Sequence, residues 1–216
     1  MAPLVLIGIR PRRKWRWATR ATSLVAVLLL VSCQRQIPGE WARVIAVRDG
    51  DTIELDDGRI VRYIGLDTPE RGRPGSDSAT ALNDRLVMGK RVRLEFGGEQ
   101  TDRYGRTLAF VYCNERMVNR EIVRVGWAWC YFYPDNLQHA PELVRDLREA
   151  MSARRGLWRE TSVETADEYI ASFAGFRFHR PDCSSVQGIK RPDEVRFTAR
   201  DSAFFDGYSP CERCEP

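Results

Sequence analysis

Histidine is scarce in this chain of 216 residues, and it has no long apolar run. The only histidines are His139 and His179, so a catalytic centre built from several histidines is excluded. The apolar run at residues 24–31 is too short to cross a bilayer as a helix, which needs about 20 apolar residues. A multi-pass membrane protein is therefore excluded. With 43% apolar and 30% charged residues, the composition is also unlike that of collagen-like or wholly disordered chains.

The net charge of +4 does not by itself indicate a partner. Six basic residues lie between positions 10 and 20, in a stretch without any acidic residue, and the rest of the chain has a small net negative charge. Attraction for phosphate must therefore come from individually placed arginines rather than from a basic overall field.

Residues 1–33 have the order of a bacterial export signal. Basic residues 10–20 precede the apolar run, and Ser32 and Cys33 follow it. Residues 30–33 (Leu-Val-Ser-Cys) resemble a lipobox, in which the cysteine is acylated and becomes the new N-terminus. A buried strand or helix that happens to end in cysteine is the alternative. We predict a lipoprotein-type signal that ends at Cys33, and a protein in the cell envelope or on the periplasmic or extracellular face.

Five cysteines remain beyond Cys33, and an odd number cannot all form internal disulfides. Cys211 and Cys214 have Cys-x-x-Cys spacing, and His179 and Cys183 stand upstream. Three thiolates and one imidazole make the closed tetrahedral set of a structural zinc site. The alternative is a disulfide between Cys211 and Cys214 that leaves Cys183 free.

Cys113 and Cys130 are the remaining two cysteines. In an oxidising compartment they could form one disulfide, which would stabilise the fold by about 3 kcal/mol. We therefore regard a Cys113–Cys130 disulfide as possible.

Five short segments that are rich in β-branched residues or alternate in polarity predict strands, and Asp-Gly pairs bound several of them: residues 44–47, 52–55, 59–64, 91–95 and 107–112. Ser76 or Asp77 is placed to cap a helix that ends at Gly89, and Asn119 to cap a second that ends at Gly126. A third helix begins near Pro141 and has Leu143, Leu147 and Met151 on one face.

These elements predict a mainly β fold with α-helices, namely a five-stranded OB-fold barrel with three helices over residues 41–158. Residues 159–168 are polar and are typical of a linker. Residues 169–216 form a small Cys/His module in which a metal would substitute for buried area.

Carboxylates and arginines cluster around the predicted strand ends. Asp51 and Asp67 offer the hard oxygen ligands that Ca²⁺ or Mg²⁺ prefers. Arg62 and Arg106 offer planar forks that match phosphate oxygens, and Glu70 is free to accept a proton from water. Each of these segments alone has a simple explanation as a turn, and only their combination indicates chemistry.

Four ordered motifs carry a resemblance to the staphylococcal nuclease (thermonuclease) family, an OB-fold group of calcium-dependent secreted nucleases. The motifs lie at residues 47–52, at Arg62 with 66–70, at 101–106, and at 117–119 with 123–126. The resemblance implies that Asp51, Asp67 and the main-chain carbonyl of Thr68 bind Ca²⁺. It also implies that Glu70 is the general base, that Arg62 and Arg106 bind the phosphate, and that Tyr104, Tyr131 and Tyr133 line the nucleotide pocket.

The expected function is calcium-dependent phosphodiester hydrolysis of DNA and RNA with low sequence specificity and a preference for single strands. The alternative is a non-catalytic nucleic-acid-binding or scaffold protein that uses the same barrel. Apart from nucleic acid and a membrane reached through the lipid anchor, no protein partner is predicted.

The C-terminal module has a likeness of its own. Residues 178–183 and 207–214 are similar to the zinc-binding module of Ada-type alkylation-repair proteins, in which a cysteine stands at the position of His179. The resemblance implies a structural zinc ion held by His179, Cys183, Cys211 and Cys214. With seven basic and ten acidic side chains in residues 161–216, strong phosphate binding by the module as a whole is not expected.

Overall fold

The structure is a computed structural model that describes residues 39–160 and 166–216. The predicted signal with Cys33 lies outside the described residues, as does the middle of the predicted linker. In the described part of the chain, no helix is long and apolar enough to cross a membrane.

Residues 39–160 contain eight strands, three helices and a terminal 3₁₀ turn at Gly156–Arg159. The strands are β1 Glu40–Val47, β2 Thr52–Leu55, β3 Ile60–Tyr63, β4 Gly65–Asp67, β5 Arg91–Glu95, β6 Thr107–Cys113, β7 Arg116–Met117 and β8 Trp129–Tyr131. The helices are α1 Ser76–Val87, α2 Val118–Val125 and α3 Ala140–Ser152.

The five longer strands close into a barrel in the order β3-β2-β1-β5-β6, with a parallel β3–β6 pairing that joins the two ends. Strand β1 serves both halves, because its first half pairs with β5 and its second half pairs with β2, with a register shift between Val44 and Ala46. A bulge of this kind bends a strand and lets the sheet curl. Val44, Ile53 and Leu94 are fully buried inside. The predicted OB-fold barrel with three helices is confirmed.

Helix α1 begins differently from the prediction. Gly75 is its N-cap with φ of 89°, and Ser76, expected as a cap, is already the first helical residue and is buried. The positive φ favours glycine at this position, and a Cβ there would also come within 2.5 Å of the end of the Leu157 side chain. The predicted cap at Ser76 or Asp77 is wrong because the glycine before it makes the turn.

Helix α2 also lacks the predicted cap, since Met117 is its N-cap and Asn119 lies within the helix. The buried side chain of Asn119 accepts from the amide of Val111 at 2.8 Å and donates to the carbonyl of Ile64 at 2.9 Å. Asn119 therefore joins the helix to two parts of the barrel. The predicted end of α2 at Gly126 is confirmed, with φ of 87°.

Residues 166–216 contain a four-stranded sheet in the order β11-β9-β10-β12 and a short helix. The elements are β9 Tyr169–Ser172, β10 Arg177–His179, β11 Glu194–Phe197, α4 Arg200–Phe205 and β12 Ser209–Pro210. Phe204 of α4 packs against Phe178 and also against Trp129 and Trp158 of the barrel segment. The apolar residues of this segment thus form one continuous core with those of the barrel.

Cys113 and Cys130 are separate, buried free thiols, so the disulfide considered possible from the sequence is not formed. The two residues lie on strands with different partners, because Cys113 pairs with Arg116 of β7 and Cys130 pairs with Leu66 of β4. Burial raises the pKa of the Cys130 thiol far above its ordinary value.

Candidate active site and metal cluster

Asp51 lies at the tight turn that leads into β2 and is almost completely buried. Its Oδ2 accepts from the amide of Thr68 at 2.9 Å and from the hydroxyl of Thr68 at 3.0 Å. Its Oδ1 accepts from the hydroxyl of Thr52 at 3.1 Å. A Cβ at Gly50 would come within 2.7 Å of the Thr68 side chain, so the glycine permits the two segments to approach. Both carboxylate oxygens of Asp51 are thereby fixed in orientation.

Arg62 connects Asp51 to Asp67. Its Nε lies 3.2 Å from Oδ1 of Asp51, and its Nη2 lies 2.6 Å from Oδ1 of Asp67. Its Nη1 donates to the carbonyls of Tyr63 and Leu66, which fixes the turn between β3 and β4. The rigid fork of a guanidinium suits such a set of acceptors. Arg62 therefore holds the two carboxylates in position and also offsets part of their negative charge.

Asp67 at the end of β4 is in an unusual electrostatic environment. Burial raises the pKa of Asp67 to about 7, with opposition from Arg62 and reinforcement from the negative charges of Asp51 and Glu70. Burial and the charge of Asp51 also raise the pKa of the neighbouring Asp49. Repulsion among carboxylates of this kind is relieved by a cation, and carboxylate oxygens are the ligands that Ca²⁺ prefers. The residues present therefore fit a hard divalent ion.

Glu70 follows Asp67 by three residues and is exposed, whereas Thr68 and Pro69 between them are buried. Its charge acts on Asp67, so the two carboxylates lie within electrostatic reach of each other. An exposed carboxylate beside a buried polar cluster is accessible to both water and substrate.

Arg106 stands immediately before β6, which pairs in parallel with the strand of Arg62, with Val61 opposite Thr107. Asp102 orients Arg106, since Oδ2 of Asp102 accepts from Nε of Arg106 at 2.7 Å and its Oδ1 accepts from the amide at 2.9 Å. Burial raises the pKa of Asp102, but the hydrogen bonds from Arg106 and from the amide of Tyr104 outweigh it, so the pKa lies below its ordinary value. Between these two residues, Tyr104 is 67% exposed, with the guanidiniums of Arg103 and Arg106 near its ring.

Tyr131 and Tyr133 lie side by side at the end of β8. Their hydroxyl oxygens are 2.8 Å apart, and their rings meet edge to face at 5.1 Å. Strand β8 pairs with β4 so that Tyr131 faces Gly65, two residues before Asp67. The fold thus brings the tyrosine pair to the strand that carries Asp67.

Comparison with known proteins identifies the family. A family profile described as "Staphylococcal nuclease homologue" matches residues 60–160. The chain is 34% identical over 125 residues to the thermonuclease of Staphylococcus hyicus, covering 54% of this chain and 74% of the relative. It is 36% identical over 131 residues to the thermonuclease of Staphylococcus intermedius, covering 56% and 78%. The chain belongs to the staphylococcal nuclease family.

An uncharacterized endonuclease of Haemophilus influenzae is 35% identical over 147 residues, which cover 65% of this chain and 78% of that protein. Membership of the staphylococcal nuclease family confirms the prediction of a phosphodiester-hydrolysing enzyme of the thermonuclease type. The family profile ends at residue 160, before the C-terminal module. The likeness of that module to Ada-type proteins therefore stays a prediction.

The module of this staphylococcal nuclease family member holds a compact cluster of His179, Cys183, Cys211 and Cys214. Their ligand atoms all lie within 4.8 Å of one another, and all four residues are buried. The three cysteines are free thiols, so the alternative disulfide between Cys211 and Cys214 is not formed. Burial and the positive charge of Arg177 lower the pKa of His179, which favours the neutral imidazole that a metal requires. The donor set and its spacing fit zinc.

Two residues at the site were assigned no role from the sequence. Asp102 lies inside the recognised motif at residues 101–106, and its spacing of four from Arg106 was the available signal. Arg177 lies in the C-terminal module, yet its guanidinium is 4.2 Å above the ring of Tyr131. Only the three-dimensional fold connects Arg177 with the site, because 46 positions separate the two residues in sequence.

Proposed function

We propose that this chain is an exported, calcium-dependent nuclease that hydrolyses phosphodiester bonds of DNA and RNA with little sequence specificity. The supporting observation is the pair of carboxylates Asp51 and Asp67, held by one arginine beside the exposed Glu70. In this proposal Asp51, Asp67 and the carbonyl of Thr68 hold Ca²⁺. When bound, the ion supplies Lewis-acid polarisation of a phosphoryl oxygen.

Glu70 accepts the proton from the attacking water, whose oxygen forms the new bond to phosphorus while the bond to the 5′ oxygen breaks. The 5′ oxygen leaves as a hydroxyl after it takes up a proton from solvent. General-base catalysis of this kind contributes about 100- to 10,000-fold in rate. Arg62 and Arg106 donate to the non-bridging oxygens and stabilise the charge that develops there. A fixed guanidinium suits this task because little reorganisation is needed during the reaction.

Tyr104 and Tyr133 present exposed aromatic surface beside this centre, with 67% and 43% of each residue accessible. Aromatic surfaces bind bases by stacking, which tolerates any base but requires it to be unstacked from its neighbours. Phosphate contacts carry no base information. The expected substrates are therefore single-stranded DNA and RNA of any sequence.

The decisive experiment compares cleavage of a fluorescent single-stranded DNA oligonucleotide by the full-length chain in calcium and in chelator. The Glu70→Gln variant retains size and polarity but loses the base, so its kcat should fall by about 100-fold or more. Glu149→Gln is the matched control, because Glu149 is an exposed residue of α3 that pairs with Arg155. Cleavage that persists in chelator, or equal rates for Glu70→Gln and the wild type, would contradict the proposal.

Export and lipidation at Cys33 are part of the same proposal and need their own test. A lipobox cysteine is modified on its thiol, so labelled palmitate supplied to bacteria that express the full chain should enter the wild type and not a Cys33→Ser variant. Equal labelling of both chains, or of neither, would remove the lipid anchor from the proposal.

For the Cys/His cluster, the proposed ligand is one structural zinc ion held by His179, Cys183, Cys211 and Cys214. Its role is to hold together a segment whose own core is small, as closed Cys/His sites do. Zinc content measured on the purified full-length chain should approach one ion for each chain.

A further inference from the structure

Arg177 of the C-terminal module is placed at the edge of the nuclease site. Its guanidinium carbon lies 4.2 Å from the centre of the Tyr131 ring, which is a cation–π contact. The positive charge of Arg177 also acts on Asp67, where it opposes the effect of burial. The guanidinium therefore faces the same site as the carboxylates, although it comes from a different part of the chain.

The contacts of Arg177 fix the position of its guanidinium and leave some of its N–H donors available. Nη1 donates to the carbonyl of Pro210 at 3.4 Å, and Nη2 lies 3.3 Å from Oε1 of Glu212. The side chain of Glu212 is 71% exposed, and a long ion pair of this kind contributes little. A guanidinium has five N–H donors, so Arg177 has donors available for an anion.

The net negative charge of the C-terminal module bears on the role of Arg177. Acidic residues outnumber basic ones in the module, so a general attraction for nucleic acid does not explain an arginine at the site. Arg177 instead extends a set of cations around the tyrosine pair, since the charges of Arg62 and Arg103 both reach Tyr133. Proteins that bind single strands combine such a track of cations with aromatic side chains.

We propose that Arg177 is a substrate-binding residue that donates to a backbone phosphate of the nucleic-acid strand on the Tyr131 side of the site. The proposal rests on the proposed nuclease function. It also changes the expected role of Tyr131, because the guanidinium covers one face of its ring. Tyr131 then positions Arg177, and the exposed rings of Tyr133 and Tyr104 remain for stacking.

The Cys/His cluster lies next to the segments that hold this arginine. Arg177 precedes His179 by two residues on β10, and its two hydrogen-bond partners flank Cys211. Glu215, directly after Cys214, pairs at 3.1 Å with Arg73 in the loop that follows Glu70. A zinc ion bound by the cluster would therefore hold together the segments that bring Arg177 to the site.

The test measures binding and cleavage of a single-stranded oligonucleotide by the full-length, zinc-loaded chain. Arg177→Gln should raise KM about tenfold with little change in kcat, since one charge-assisted hydrogen bond is lost from both ground and transition states. Arg177→Lys, which keeps the charge, should recover part of the affinity. Arg196→Gln is the matched control, because Arg196 lies on β11 at the far edge of the same sheet.

A second readout separates phosphate binding from a purely structural contact. The dissociation constant of the oligonucleotide, measured in chelator between about 50 and 200 mM salt, should depend less on salt for Arg177→Gln, with the logarithmic slope smaller by about 0.7. A merely structural arginine would change thermal stability without changing this slope. An unchanged KM and slope in Arg177→Gln would overturn the proposal.

The nuclease function and the role of Arg177 fail in different ways. A wild-type chain that binds DNA but does not cut it would refute the nuclease function, while the salt slope would still decide the role of Arg177. A wild-type chain that cuts DNA with no effect of Arg177→Gln would refute only the role of Arg177. A wild-type chain that neither binds nor cuts would refute both.

Discussion

Arg62 donates through Nη2 to Oδ1 of Asp67 at 2.6 Å, and this bond joins β3 to the end of β4. The same guanidinium contacts Asp51 through Nε. Despite this cationic partner, burial together with Asp51 and Glu70 raises the pKa of Asp67 to about 7. Burial thus favours the protonated form of Asp67 near neutral pH, and a bound cation would favour its ionised form.

Calcium affinity should depend on pH through Asp67. A carboxylate ligand must be ionised, and a group with a pKa of about 7 is ionised in about one tenth of molecules at pH 6. Calcium titrated calorimetrically into the full-length chain should therefore bind about tenfold more weakly at pH 6 than at pH 8. The heat should also include proton release near pH 7.

Asp67→Asn provides the control for this titration. The variant should bind calcium weakly at both pH values and lose the dependence near pH 7. The stability of the metal-free protein should change with pH in the opposite direction to its calcium affinity. The raised folded-state pKa of Asp67 stabilises the fold at low pH, and this stabilisation is lost as the pH rises through about 7. Calcium affinity that is equal at pH 6 and 8 in the wild type would contradict the assignment of Asp67 as a ligand.

Asp102→Asn should reduce kcat/KM about tenfold by releasing Arg106. Asparagine can still accept from the backbone amides of Tyr104 and Arg106, so the loop should keep its shape, but the ion pair with the Arg106 guanidinium is lost. Asp57→Asn is a suitable comparison, since Asp57 pairs with Arg59 on the surface. If Asp102 acts only through Arg106, adding Asp102→Asn to Arg106→Gln should cause little further loss.

The barrel was the part of the fold most accessible to sequence reasoning. Strands β2 and β5 have the predicted bounds, because alternation and the neighbouring turns specify both their faces and their ends. The predicted caps of α1 and α2 were wrong because contacts with distant parts of the chain decide how each helix begins. Gly75 turns the chain with a positive φ beside Leu157, and Asn119 forms bonds to distant backbone that no local pattern reveals.

In the candidate site, too, some residues could be identified from the sequence and others only from the fold. Asp51, Arg62 and Asp67 could be named from ordered motifs, and the fold brings them together. Arg177 could not be named, because cation–π contact with Tyr131 depends on how the C-terminal sheet packs beside β8. The disulfide considered between Cys113 and Cys130 is not formed. It was suggested by the number of cysteines, which does not reveal which strands are neighbours.

Asn119→Ala should destabilise the barrel by about 3 kcal/mol. The change leaves the buried amide of Val111 and the carbonyl of Ile64 without their partner, and each unsatisfied group costs about 1–3 kcal/mol. Urea unfolding followed by circular dichroism measures the loss. Arg124→Ala on the same helix should change the free energy of unfolding by less than about 0.5 kcal/mol, since Arg124 makes an exposed pair with Glu121. Similar values for the two variants would show that Asn119 does not join the helix to the barrel.

Loss of the metal from the Cys/His cluster should weaken substrate binding through Arg177. Cys214→Ser removes one ligand at the end of the segment whose Pro210 and Glu212 hold the guanidinium. The variant should lose zinc, melt at a lower temperature and bind single-stranded DNA about tenfold more weakly in chelator.

The double variant Cys214→Ser with Arg177→Gln distinguishes this coupling from two independent effects. If the metal acts on DNA binding only by placing Arg177, the arginine contact can be lost only once. The double variant should then bind single-stranded DNA as tightly as whichever single variant binds it less tightly. Cys130→Ala tests whether loss of any buried thiol has the same result, since Cys130 lies outside the cluster. Additive losses in the double variant would mean that the cluster supports the site by a route that does not involve Arg177.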